Sequence, residues 1–125
     1  MTLTEADEIY AEFARYFNAG DMEGLLSLYE PDAVFVRGPG DHVQGKAGLR
    51  AALQDFLAVG GTISFRARHA VQNGDLVLLS NDYTLIGRDA QGAPLTLTGR
   101  TSEVLRRQPD GRWRYVIDHP AGGQD

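Results

Sequence analysis

Thiol chemistry is closed to this chain, because none of its 125 residues is cysteine. Any catalysis must come from histidine, tyrosine, arginine or carboxylates. Histidine titrates near neutrality and is a ready general acid or base. The histidines are His42, His69 and His119. They are scattered, without the His-x-x-x-His spacing that sets two imidazoles on one helix face for zinc. No metal site is expected. Neither Gly-x-x-x-x-Gly-Lys-Ser/Thr nor Gly-x-Gly-x-x-Gly occurs, so no phosphate-cradling loop and no cofactor is expected.

Strand parity sorts the remaining polar residues. In the last apolar segment Trp113, Tyr115, Ile117 and His119 share one face, and Arg114, Val116 and Asp118 the other. The first set is the expected pocket wall, with His119 as its polar group. A core histidine bonded to backbone is the equal alternative. Asp118 can orient a neighbouring imidazole only if a bulge or strand curvature brings the two together. Arg100 lies among Thr96, Thr98 and Ser102. It can grip a ligand carboxylate or phosphate, although a solvated or interface arginine is the preferred reading. Glu103 falls with Leu95, Leu97, Thr101 and Leu105. On that apolar face it can act as an acid or base, but an ion pair with an arginine across the sheet is preferred. Tyr83 accompanies Val77, Leu79 and Leu85, and His69 accompanies Ile63 and Phe65 as a core histidine. Tyr16, Tyr29, Phe35, Phe56 and Trp113 suggest an aromatic lining. Arg106, Arg107, Arg112 and Arg114 read as a solvated hairpin with cross-strand pairs.

The elements that must position these residues follow from the apolar period. Ala6, Ile9, Tyr10, Phe13, Tyr16 and Phe17 recur at helical intervals, with Thr2 or Thr4 as cap and Gly20 as stop. Asp21 caps a short second helix that buries Met22, Leu25, Leu26 and Tyr29 and ends at Pro31. Ala33–Val36 is a short strand, 38–41 a loop, and Lys46–Ala58 a third helix. From Thr62 the period becomes two. Asn73-Gly74 marks a hairpin, and strands are expected at Leu76–Ile86, Leu95–Arg107 and Trp113–His119. Helices followed by an antiparallel meander make an α+β domain spanning 1–125. Leu76–Ile86 is apolar on both parities, so something must cover both faces. A second copy of the chain is the economical cover, and a homodimer is expected.

At this point the residues resemble a family. The patterns are 16–25 (YFNAGDMEGL), 28–35 (LYEPDAVF), 44–50 (QGKAGLR) and 110–119 (DGRWRYVIDH). In this order they resemble the SnoaL-like and ketosteroid-isomerase-like branch of the nuclear transport factor 2-like superfamily. The resemblance implies a cone: a curved antiparallel sheet wrapped around three N-terminal helices, with an apolar pocket for a small hydrophobic molecule. The superfamily holds isomerases, cyclases, dehydratases, epoxide hydrolases and noncatalytic proteins, so fold does not give function. Ketosteroid isomerase uses an Asp base and an oxyanion hole of a tyrosine and a protonated Asp. Tyr16 falls near its helix-one tyrosine. Gly38 stands where the base belongs, and 97–102 holds no acid, so that mechanism is not supported. An isomerase, cyclase or lyase would then use His119 for proton transfer, with Tyr16, Tyr83 or Arg100 stabilising developing oxyanion charge. Tyr29, Phe35, Phe56, Tyr83, Trp113 and Asp118 would bind substrate. The alternatives are a noncatalytic ligand-binding protein and a dimeric interaction module whose own side chains fill the pocket.

Composition narrows the partners. A net charge of -5 argues against nonspecific nucleic-acid binding. No run approaches the roughly 20 apolar residues of a membrane span. Met1-Thr2-Leu3-Thr4-Glu5 lacks the basic and apolar regions of a secretory signal, so a cytoplasmic location is expected.

Overall fold

A computed structural model of the chain describes residues 5–123, so capping by Thr2 or Thr4 lies outside the described residues. A 3-10 turn, Glu5–Glu8, leads into α1, Ile9–Asn18. The α1 stripe Ile9, Tyr10, Phe13 and Phe17 is buried, as its helical spacing requires. Gly20 closes the helix at φ 69°, a conformation glycine adopts without Cβ strain. The Asp21 carboxylate then accepts from Gly24 N–H at 2.9 Å and caps α2, Met22–Leu26. Tyr29 is not part of that helix. It opens strand β1, Tyr29–Gly38, and Pro31 sits where β1 pairs irregularly with its neighbour.

The stretch expected as a loop contributes a short strand, β2, Asp41–Gln44. Helix α3, Lys46–Leu57, follows, and then β3, Thr62–Asn73, and β4, Leu76–Arg88. The expected long strand Leu95–Arg107 is two strands, β5, Pro94–Arg100, and β6, Ser102–Arg107. Strand β7 is Trp113–His119. The sheet order is β2-β1-β7-β6-β4-β3, with β5 also beside β4. All pairings are antiparallel except β1 with β7, which is parallel. The helices pack on the concave face, α1 against β3 and α3 against β1 and β2.

The break at Thr101 has a side-chain cause. Asn81 N–H donates to the Thr101 hydroxyl at 3.0 Å rather than to a ladder carbonyl. The Ser80 hydroxyl donates to the Thr101 carbonyl at 2.6 Å. Side chains thus replace part of the backbone ladder where the sheet bends. Two bulges add to the curvature. One lies in β3 between Ala67 and His69, and the other in β7, where Tyr115 pairs with Leu105 but Ile117 with Val104.

A bulge inverts the parity of every residue beyond it. His69 and Val71 therefore face solvent, and Ala70 packs on the core in their place. In β7, Tyr115 stays inside, Ile117 turns out at 39 % exposure, and Asp118 turns in. The expected common face of Trp113, Tyr115, Ile117 and His119 is therefore split at Val116.

The turn between α3 and β3 is set by close backbone contact. A Cβ on Gly61 would lie 1.8 Å from the carbonyl oxygen of Ile86. Backbone cannot yield as a flexible side chain can. Gly61→Ala is expected to cost about 3 kcal/mol or more of stability, which urea denaturation would measure. No helix among the described residues is long and apolar enough to cross a membrane.

Candidate active site

Two buried carboxylates lie side by side on the concave face. Glu103 of β6 and Asp118 of β7 are direct cross-strand partners, a relation that puts Cβ atoms about 4.5–5.5 Å apart. Phe35 of β1 pairs with Asp118 from the other side. The β7 bulge creates this arrangement, since without it Asp118 would face outward. Glu103 is 3 % exposed and Asp118 6 %, so water screens neither charge effectively.

Each carboxylate has its own donors. Glu103 Oε1 accepts from the Tyr10 hydroxyl at 3.0 Å, and its Oε2 accepts from Asn81 Nδ2 at 3.0 Å. Asp118 Oδ2 accepts from the Tyr29 hydroxyl at 2.5 Å. The Tyr29 ring leans on Tyr115, with centroids 4.7 Å apart. Glu103 is therefore held by α1 and β4, and Asp118 by the start of β1.

Burial disfavours the charged forms, and the two negative charges oppose one another. Burial first, and then the Asp118 charge, raise the Glu103 carboxyl from its ordinary 4.5 to about 8. Hydrogen bonds from Thr101, Tyr10 and Asn81 oppose that rise. Burial raises Asp118 from 3.8 to about 6, against the Tyr29 hydrogen bond, which favours the carboxylate. Both carboxyls are thus pushed toward their protonated forms, Glu103 further than Asp118. Tyr10, Tyr29 and Tyr115 are pushed up, first by burial and then by these carboxylates. Their hydroxyls therefore keep their protons, and those of Tyr10 and Tyr29 donate to the pair.

Above the pair is an aromatic cavity of about 40 Å3. Phe13, Phe17, Phe35, Phe56, Phe65 and Tyr83 form its walls, with Glu103 and Asp118 among the lining residues. A second cavity of about 280 Å3 adjoins it and shares Phe35, Phe56, Tyr83 and Pro120.

Among the residues expected to bind substrate, Phe35, Phe56, Tyr83 and Asp118 line the inner cavity, and Tyr29 stands behind Asp118. Trp113 lies nearer the start of β7, beside Ile9, with the Arg107 guanidinium 4.9 Å from its ring centroid. The three residues expected to be catalytic are not brought together. His119 lies past the bulge, paired with Ser102 and packed by the turn at Gly122. Tyr16 packs on Gly24, with the Arg15 guanidinium 4.5 Å from its ring centroid. Arg100 binds Asp82 at 2.8 Å, and Arg68 lies 3.8 Å from the same carboxylate oxygen. Among the described residues, no arginine pairs with Glu103. It meets Tyr10 and Asn81 instead, because its face of the sheet is covered by α1. Tyr10 is expected only as part of the buried helical stripe and Asn81 not at all, so their roles as donors to Glu103 are not foreseen, although both sit at inward parity. A polar residue in an otherwise apolar stripe was the available signal.

The fold defines the class. The chain superposes on a protein from Xanthomonas campestris assigned as a calcium/calmodulin-dependent protein kinase II association domain, with a TM-score of 0.78, at 16% identity, covering 100% of this chain and 99% of that one. It matches Aln2 from a Streptomyces species with a TM-score of 0.76, at 20% identity, over 94% of this chain and 88% of the other. A protein assigned as a dehydratase of the nuclear transport factor 2-like family, from Streptomyces avermitilis, gives 0.75 at 20% identity, over 97% and 96%. These likenesses show the nuclear transport factor 2-like fold.

Within that class the chain belongs to the SnoaL-like domain family, whose profile matches residues 10–116. The epoxide hydrolase LasB of Streptomyces lasalocidi is 35% identical over 99 residues, which cover 78% of this chain and 34% of LasB. The match thus takes in about a third of that relative's length.

Proposed function

We propose that this protein is an acid–base enzyme acting on a small apolar molecule, with Glu103 as general acid and Asp118 as general base. The observation that carries this reading is the adjacent buried carboxyl pair on the cavity wall, pushed to different pKa values. Pairs of titratable groups held apart in this way are how one site runs acid and base chemistry together. Similarity to an epoxide hydrolase supports epoxide opening as the reaction class. The step balances on these two groups. Glu103 gives its proton to the epoxide oxygen as the C–O bond breaks. A water or a hydroxyl of the substrate attacks the carbon and passes its proton to Asp118. Transfer of that proton from Asp118 to Glu103 resets the pair.

The test is turnover of 1,2-epoxyhexane followed by gas chromatography across pH. A bell-shaped rate profile with limbs near 6 and 8 is expected, since the base must be ionised and the acid protonated. A flat profile would sink the assignment. Thermal stabilisation by 1-hexanol without epoxide turnover would favour the noncatalytic binding protein instead.

The outer face of the sheet supports a homodimer. Val34, Ile117, Val104, Leu78 and Val71 follow one another in register across β1, β7, β6, β4 and β3. Within that row Ile117, Leu78 and Val71 are 39%, 41% and 61% exposed. A continuous apolar row on one sheet face is the kind of patch a protein interface covers. Light scattering is expected to give twice the chain mass at micromolar concentration. Leu78→Glu is expected to shift that mass to one chain.

A further inference from the structure

Resting on the acid–base reading above, we infer that the site takes an elongated apolar molecule end-on, and that Phe56 sets the width it admits. The inner cavity is about 40 Å3 and the outer about 280 Å3. A water needs roughly 10–15 Å3 on this scale, so the inner space holds about three water-sized groups. That matches the three ring atoms of an oxirane, or a carbonyl with its carbon neighbour. The body of a longer substrate would then lie in the outer cavity, against Val36, Arg37, Ala52, Asp55 and Ala121.

The collar between the two spaces is Phe35, Phe56, Tyr83 and Pro120, which line both. Three of these are braced by neighbouring strands or turns. Phe35 is 2% exposed within β1. Tyr83 lies flat on its cross-strand partner Gly99, where a Cβ would fall 2.2 Å from the ring. Pro120 begins a turn tied down by Gly122 N–H to the His119 carbonyl at 3.0 Å and Gly123 N–H to the Arg100 carbonyl at 2.9 Å. Phe56 differs. It is half-buried in the last turn of α3 and meets Phe35 edge-on, with centroids 6.2 Å apart. Its rotamer sets how wide the collar opens.

The test compares binding of 1-octanol and cyclooctanol, which have equal carbon counts and unequal widths, by calorimetry. Neither probe requires turnover, so failure of the acid–base reading leaves this result standing on its own. Wild type is expected to bind 1-octanol at least tenfold more tightly. Phe56→Ala is expected to bring the two affinities within twofold, chiefly by tightening cyclooctanol. Phe56→Leu is expected to fall between and remains decisive if the alanine variant does not fold. Equal affinities in wild type, no binding of either alcohol, or an unchanged ratio in a folded variant would overturn the inference.

Discussion

Replacing Glu103 by Gln is expected to make the protein more stable at pH 8.5 while leaving it nearly unchanged at pH 4. The Glu103 carboxyl rises from 4.5 to about 8 on folding. A group whose pKa is raised in the folded state stabilises fully below its unfolded pKa. That contribution is lost as pH rises toward the folded value, because the unfolded chain ionises first. The loss thus runs from about 4.5 to about 8 and then levels off. At about 1.4 kcal/mol per pH unit the ceiling is about 5 kcal/mol. Asp118 adds a smaller loss in the same direction between about 4 and 6. The substituted amide cannot ionise, can still accept from Tyr10 or Asn81, and removes the charge that opposes Asp118. Urea titrations at several pH values should show wild type weakening across this window and the variant weakening much less. The expected gain at pH 8.5 is on the order of 2–5 kcal/mol. Parallel pH curves for the two proteins would mean that Glu103 is ionised at neutrality and cannot serve as the acid.

The fold was legible because its signals are local. The helical stripe Ile9–Phe17, the stop at Gly20, the Asn73-Gly74 turn and the change of period at Thr62 each arise within a few residues. The site was only partly legible, because a bulge depends on partners far away in sequence. Nothing within Trp113–His119 announces that Val116 is the extra residue. One such residue exchanges His119 for Asp118 on the inner face, and with it one chemistry for another. Glu103 shows the complementary case. Its inward parity was plain beside Leu105, but its partner was not. An arginine is the commoner answer for a sheet glutamate, whereas here α1 supplies Tyr10 across 93 positions of sequence. The aromatic lining was easier to foresee, since Phe56 sits on the inward side of helix α3 and Phe35 lies in β1 between its two irregularities, where the inward parity is kept.

Asp118→Asn is expected to lower turnover by about 10²–10⁴-fold, the range for loss of a positioned general base. It should leave 1-octanol binding within about threefold, since the cavity walls are untouched. Tyr29→Phe then separates a chemical role from a structural one. The Tyr29 hydroxyl donates to Asp118 at 2.5 Å and opposes the effect of burial. A hydrogen bond to the charged form favours that form, so removing it raises the Asp118 pKa above about 6. The acid limb of the rate profile should move to higher pH, toward the limb set by Glu103. Activity should fall more at pH 6.5 than at pH 8, and the bell should narrow from its acid side. A merely structural tyrosine would lower the rate equally at every pH. A uniform drop would leave Asp118 as a substrate-orienting carboxylate and would move the search for the base elsewhere in the cavity. Thermal melts of both variants guard the comparison, because Tyr29 also packs on Tyr115 and its ring is retained in the phenylalanine variant.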